Sequence, residues 1–103
     1  MALPHPHRDE LELPKVLHAL SDPQRLQVVR TLADSDGPRR CGSFGLSVTK
    51  STATHHFRVL REAGVIVVHE EGTARMSSLR RDDLDARFPG LLDAVLAAAA
   101  VPA

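Results

Sequence analysis

Apolar residues first recur at helical spacing at Leu13, Val16, Leu17 and Leu20, which predicts a helix over about residues 9–20. Pro14 is tolerated only in a first turn, so the helix is expected to begin near Leu13. Ser21-Asp22-Pro23 then reads as a stop and a restart. Asp22 can cap a new helix, and Pro23 suits its first position. Leu26, Val29 and Leu32 place one apolar stripe on that second helix, which should end near Asp34. Ser35-Asp36-Gly37-Pro38 is turn chemistry. From Arg39 to Val48, Gly42 and Gly45 break the pattern, leaving room for about one helical turn. Several N-cap candidates lie between Ser47 and Ser51. A helix is predicted from there to Ala63, with Gly64 in the position of a C′ glycine.

The period changes at Val65. Val65-Ile66-Val67-Val68-His69 predicts a strand, Glu70-Glu71-Gly72-Thr73 a hairpin turn, and Ala74 to Leu79 the return strand. Arg81 to Asp85 opens a helix with acids in its first turn, matching the helix dipole. Pro89-Gly90 interrupts it. Leu91, Leu92, Val95, Leu96 and the following alanines form a last apolar helix. Residues 1–8, with Pro4 and Pro6, read as a flexible terminus. The expected fold is mainly α with a two-stranded β wing: one winged helix-turn-helix domain over residues 9–100. The first and last helices each carry an apolar stripe that so short a chain has little core to cover. Leu13, Val16, Leu17, Leu92, Val95 and Leu96 are therefore expected to pair two chains about a two-fold axis, giving a dimer.

A length of 103 residues allows one domain. With no Trp or Tyr and three Phe, the core must be aliphatic. The single cysteine, Cys41, cannot form an internal disulfide. The start lacks the apolar stretch of a signal peptide, and no run of about 18 apolar residues occurs, so a cytoplasmic, non-membrane protein is expected. Net charge is zero, but it is unevenly spread. Residues 37–61 hold five basic side chains (Arg39, Arg40, Lys50, Arg58, Arg61) and no acid, between two segments in which acids outnumber bases. Such a segment suits a DNA-facing element on an acidic body, although chance clustering gives the same count.

The long helix gives that charge a face. At about 100° per residue, Ala53, Phe57, Leu60 and Gly64 share a narrow arc facing the core. Ser51, Thr54, His55, Arg58 and Glu62 lie roughly opposite. A helix entering a major groove needs small hydroxyls that approach closely and a basic fork for guanine edges or phosphate. Lys50 and Arg61 flank the set and suit phosphates, which position a protein without reading sequence. Thr52 is placed with them, in the first turn. An ordinary solvated face would look similar. His56 sits beside the core arc, where a structural role bonded to backbone is expected. On the hairpin, His69 and Arg75 can reach a minor groove or its phosphates, while Glu70 and Glu71 would resist this.

Two segments resemble a known family. Leu20-Ser21-Asp22-Pro23-Gln24-Arg25-Leu26 is similar to the LADPTRL opening of the ArsR/SmtB repressors. Ser51-Thr52-Ala53-Thr54-His55-His56-Phe57-Arg58-Val59-Leu60-Arg61-Glu62-Ala63-Gly64-Val65-Ile66 resembles the family's recognition helix, and Glu71-Gly72-Thr73 with Arg75 resembles its wing. The likeness runs from Val16 to Leu79, about two-thirds of the chain. It implies a homodimer built from the first and last helices that binds a palindromic operator. It also implies that Ser51, Thr54, His55 and Arg58 occupy DNA-reading positions.

The chain departs from the metal-sensing members. Many use a Cys-x-Cys pair before the recognition helix, where only Cys41 stands. Others use Asp and His pairs on the last helix; here Asp82, Asp83, Asp85 and Asp93 occur toward the end of the chain and no His follows His69. Neither ligand set can be assembled from these residues, because zinc, nickel or arsenite sites need three or more soft or imidazole donors. No metal or other cofactor is therefore expected. Cys41 reads as a small buried hydrophobe, and His5 and His7 as at most a weak metal tail. Any signal would come from a small effector or a co-sensor protein. The alternatives are a metal- or thiol-responsive repressor with an unusual site around Cys41, His18, His55 and His56, or an interaction module on the same scaffold. No phosphate loop, nucleophile motif or metal-carboxylate cluster suggests an enzyme.

Overall fold

A computed structural model describes residues 3–101. Asp22 organises the first half of the chain. Helix α1 (Leu13–Leu20) ends just before it, and α2 (Pro23–Ala33) begins just after. Its Oδ2 accepts from the amides of Gln24 and Arg25 at 2.8 and 3.1 Å, so two of the four open donors of the helix start are satisfied. Pro23 stands in the first turn, where no amide is missed. The buried stripe of α2 is Arg25, Val28, Val29 and Leu32. Val28 thus takes a core position expected of Leu26, which is half-buried.

Helix α3 (Lys50–Ala63) is capped by Thr49, whose hydroxyl accepts from the Thr52 amide. It ends at Gly64 with φ +84°, and the Val65 amide closes back on the Leu60 carbonyl at 2.9 Å. Glycine is required there because the left-handed region penalises a Cβ. A Cβ would also collide with the Leu11 side chain packed over it.

The wing is the hairpin of β2 (Ile66–Glu71) and β3 (Ala74–Leu79). Its strands pair two residues further toward the tip than expected, from Ile66 opposite Leu79 to Glu71 opposite Ala74. The turn therefore shrinks to Gly72-Thr73, with Gly72 at φ +61°. A third strand, β1 (Arg39–Arg40), pairs antiparallel with β3, giving the order β1-β3-β2. The sequence expectation of a two-stranded wing omitted it because two arginines carry no apolar alternation. Ile66 and Val68 point into the core while Val67 and His69 are half-buried, as a one-sided antiparallel strand requires. A 3-10 turn, Cys41–Ser43, leads away from β1. Helices α4 (Arg81–Arg87) and α5 (Leu91–Ala99) complete the chain, separated by the expected Pro89-Gly90 break.

The core is aliphatic with two phenylalanines, Phe44 and Phe57, in tilted contact at 5.5 Å. Residues 3–8 correct the expectation of a free terminus. They run as a strap over α3, the wing and the start of α4. The Pro4 carbonyl accepts from Arg61 Nη1 at 2.7 Å, and the Pro6 carbonyl from Arg80 Nη1 at 2.8 Å. His5 Nε2 accepts from the Val68 amide at 3.0 Å. Arg8 reaches Asp83 at 2.7 Å. A 3-10 turn, Arg8–Glu10, then delivers Leu11 into the core at 1% exposure. Burying one leucine contributes about 1.5–3 kcal/mol, which offsets part of the entropy of fixing the strap.

Candidate nucleic-acid interface

Helix α3 sorts its residues by face. His56, Phe57, Leu60 and Ala63 are buried, and Ala53 is half-buried. Lys50, Ser51, Thr52, Thr54, His55 and Arg58 are exposed together on the other side. The core arc expected from the wheel is thus wider, taking in His56 and Ala63 as well. Arg61 lies between the faces, half-buried, with one guanidinium nitrogen held by Pro4. The Thr54 hydroxyl donates to the Lys50 carbonyl at 3.0 Å, which leaves its lone pairs outward as acceptors.

The start of α3 carries a hydroxyl cluster. Thr49 Oγ1 lies 3.0 Å from Thr52 Oγ1 and 3.3 Å from Ser51 Oγ. The sequence offers Thr49 only as one of several possible caps. Its position gives it two roles, closing the helix start and extending the polar face. Open amides and the positive end of the dipole favour an anion at such a terminus.

The wing brings Arg75 to the same side. Arg75 is exposed, and among the described residues it pairs only with Glu70 at 3.9 Å, a weak surface pair. His69 is turned toward Glu71 at 3.3 Å. Arg58, Arg61 and Arg75 share one cavity between α3 and the hairpin. Arg40 belongs to the basic segment, and its sequence position gives it no place in the site. Strand β1 sets it opposite Met76, and with Arg75 it lines a neighbouring depression.

Behind this face α3 is fixed by charge rather than by apolar contact alone. Arg25 is 7% exposed and donates to the carbonyls of Ala19 and His18 at 2.8 and 3.1 Å. Its Nη1 stands 3.2 Å from His56 Nδ1. The expected backbone partner of His56 is therefore replaced by a guanidinium. Burial tends to raise the Asp22 carboxyl, but the amides of Arg25 and Gln24, with His56 and Arg25, hold it below its ordinary value.

Among the described residues, no three His, Cys, Asp or Glu side chains gather as a ligand set, so Cys41, His18, His55 and His56 form none. Burial pushes the Cys41 thiol up, against the pull of Ser77 and Arg75. It stays protonated at neutral pH, the form that binds metal poorly.

The residues expected at a dimer surface divide. Leu13 and Leu17 are 41% and 45% exposed on α1. Val95 and Leu96 are half-buried on α5. Val16 and Leu92 are 1% and 2% exposed within the chain's own core, so neither is available to a second chain. Helical spacing alone could not tell the inner edge of each stripe from the outer.

Comparison with known proteins agrees with this architecture. Residues 22–67 match the family described as bacterial regulatory protein, arsR family. The chain is 37% identical over 81 residues to YceK, an uncharacterized HTH-type transcriptional regulator of Bacillus subtilis (strain 168), covering 77% of this chain and 81% of that one. Its fold is similar to the crystal structure of the transcriptional repressor BigR from Xylella fastidiosa, with TM-score 0.65, 23% identity and coverage of 87% and 88%. A second crystal structure, of an ArsR family transcriptional regulator, also gives TM-score 0.65, with 24% identity and coverage of 84% and 89%.

Proposed function

The chain belongs to the arsR family of bacterial regulatory proteins and is a DNA-binding transcription regulator, not an enzyme; from that premise we propose that it acts in the cytoplasm as a homodimeric repressor of a palindromic operator. Each α3 enters a major groove with Ser51, Thr52, Thr54, His55 and Arg58 toward the bases. Lys50, Arg61 and Arg75 contact phosphates. The observation that carries this reading is the run of exposed polar and basic side chains from Lys50 to Arg58 with no acid among them. The two-fold axis is supported by Leu13 and Leu17, which remain exposed on α1, and by Val95 and Leu96, which are only half-buried on α5. One domain spans residues 9–100, with the strap of residues 3–8 bound to it.

This reading assigns no metal to the function. The protonated Cys41 and the lack of a gathered ligand set among the described residues support operator binding by the protein alone. A chelator is expected to change operator affinity by less than about threefold, under about 1 kcal/mol.

Gel shifts over a salt series test the reading. Arg58→Ala should weaken operator binding by about 1–3 kcal/mol and relax sequence preference. Lys50→Ala should weaken all sequences alike and flatten the salt slope by about one unit. Unchanged operator affinity in Arg58→Ala would remove this face from the interface.

A further inference from the structure

The junction between α3 and the wing encloses a cavity of about 200 Å³ whose wall is divided by chemistry. One side holds Arg58, Arg61 and Arg75 with the Thr54 hydroxyl. The other is made by Leu3, Phe57, Val68 and Cys41. Among the described residues no carboxylate lines it, and Glu70 comes only to 3.9 Å of Arg75. Like charges brought to one hollow repel, and an anion placed among them relieves that repulsion.

We propose that this cavity binds a small organic carboxylate with a short apolar body, and that its occupancy opposes DNA binding. The carboxylate takes the arginine side, where a guanidinium fork matches its two oxygens. The carbon chain takes the Leu3, Phe57 and Val68 side. A DNA phosphate explains the arginines but not the apolar half, because a phosphodiester has no body to bury there and a duplex cannot enter the hollow. Cys41 fits the same division. Its burial keeps the thiol neutral, so it adds apolar wall rather than a second negative charge. The strap supplies the remaining wall, since Leu3 lies on the cavity and the next residue, Pro4, holds Arg61.

The opposition to DNA rests on the operator reading above; the binding itself does not. A carboxylate on Arg58 and Arg75 occupies groups that the operator would use. By linkage, each ligand then weakens the other by the same factor.

The test is calorimetric titration of the whole protein with hexanoate, using inorganic phosphate and hexanamide as comparison probes at matched ionic strength. One hexanoate per chain is expected to bind at least about tenfold more tightly than either comparison probe, and to lower operator affinity. Leu3→Ala and Cys41→Leu, one opening the apolar wall and one filling the cavity, should each weaken hexanoate at least about fivefold. Operator affinity in both should stay within about twofold. If Cys41→Leu does not fold, Leu3→Ala decides alone. Phosphate binding as tightly as hexanoate would make the cavity a backbone-phosphate seat and overturn the proposal. So would no saturation by about 10 mM, or binding that neither variant changes. Hexanoate binding with operator affinity unmoved overturns the opposition to DNA. Hexanoate binding in a protein whose Arg58→Ala variant keeps full operator affinity removes the operator reading and leaves the site.

Discussion

Arg25 Nη1 on α2 stands 3.2 Å from His56 Nδ1 on α3, and this contact fixes the imidazole's tautomer. A guanidinium only donates, so Nδ1 must be bare and the ring proton sits on Nε2. That nitrogen faces Asp22 Oδ2 at 3.8 Å. Asp22 in turn caps α2. The Asp-Pro-Gln-Arg turn is thereby joined to the back of α3, opposite its exposed face. A segment that reads from sequence as a helix start also sets the angle at which the next long helix is presented.

Replacing Arg25 with Met would leave the Ala19 carbonyl and the His56 ring without a donor, while the His18 carbonyl keeps the Ser21 hydroxyl and amide. The expected loss is about 2–4 kcal/mol, since each buried unsatisfied group costs about 1–3. Arg25→Lys should recover little, because one ammonium cannot serve three acceptors spread around a fork. Urea unfolding followed by circular dichroism measures both. A loss in Arg25→Met below about 0.5 kcal/mol would mean that the network adds nothing net.

The strap gives stability a pH dependence. His5 accepts the Val68 amide and so must be neutral at Nε2. Its pKa is lowered from 6.5, chiefly by burial, and further by Arg61 and Arg80, against a rise from the Leu3 carbonyl. A lowered folded-state pKa means the folded chain favours the neutral ring. The contribution is therefore complete above 6.5 and lost as pH falls through the folded value. Wild-type protein should lose stability between pH 7 and pH 5 relative to His5→Gln. The protection factor of the Val68 amide against hydrogen exchange should fall over the same window in wild type. Parallel stability curves for the two proteins would assign the strap no proton linkage.

Gly64→Ala tests the close approach of the strap's end to α3. The substitution forces a Cβ into the left-handed region and against Leu11. Positive φ alone costs about 1 kcal/mol, and displacing Leu11 from full burial adds a cost of similar size. A fall of about 2–3 kcal/mol in unfolding free energy is expected. Leu11→Ala combined with Gly64→Ala should cost less than the sum of the two single losses, because the collision disappears. Strict additivity would show that the contact carries no strain.

The helices, the wing hairpin and the exposed side of α3 were legible because each follows from short-range rules. Asp22-Pro23 starts a helix, Gly64 ends one, and the β-branched run from Val65 must lie in a sheet. The family likeness of residues 20–26 and 51–66 pointed to the same architecture. What could not be read depends on distant pairing. Strand β1 exists only because Ser77 and Met76 lie opposite Arg39 and Arg40. The strap is held by Arg61, Arg80, Val68 and Asp83, all far along the chain, so its prolines and histidines looked like a free end. Arg25 falls on no apolar stripe, and only the fold reveals that three acceptors surround it. Arg75 could be placed on the wing from the hairpin alone. Its meeting with Arg58 and Arg61 needed the packing of the hairpin on α3.

The division of the apolar stripes makes the dimer testable residue by residue. Leu13 and Leu17 lie four positions apart on α1, one above the other on its exposed face. Val16 and Leu92, from the same stripes, are already inside the chain. If α1 and α5 form a two-fold contact, a charge at Leu17 must be repeated across the axis and cannot be screened by movement of one chain alone. Leu17→Arg should therefore convert a sedimenting dimer to a monomer that keeps its circular dichroism spectrum. It should also weaken binding to a two-half-site operator much more than binding to a single half-site, because the linkage between the two recognition helices is lost. Leu92→Ala should behave oppositely. It leaves a cavity in each chain's own core and costs about 2–5 kcal/mol of stability, while material that remains folded still pairs. A wild-type protein that sediments as a monomer at micromolar concentration would reject the two-fold assembly. A Leu17→Arg protein that remains fully dimeric would move the contact away from the exposed side of α1.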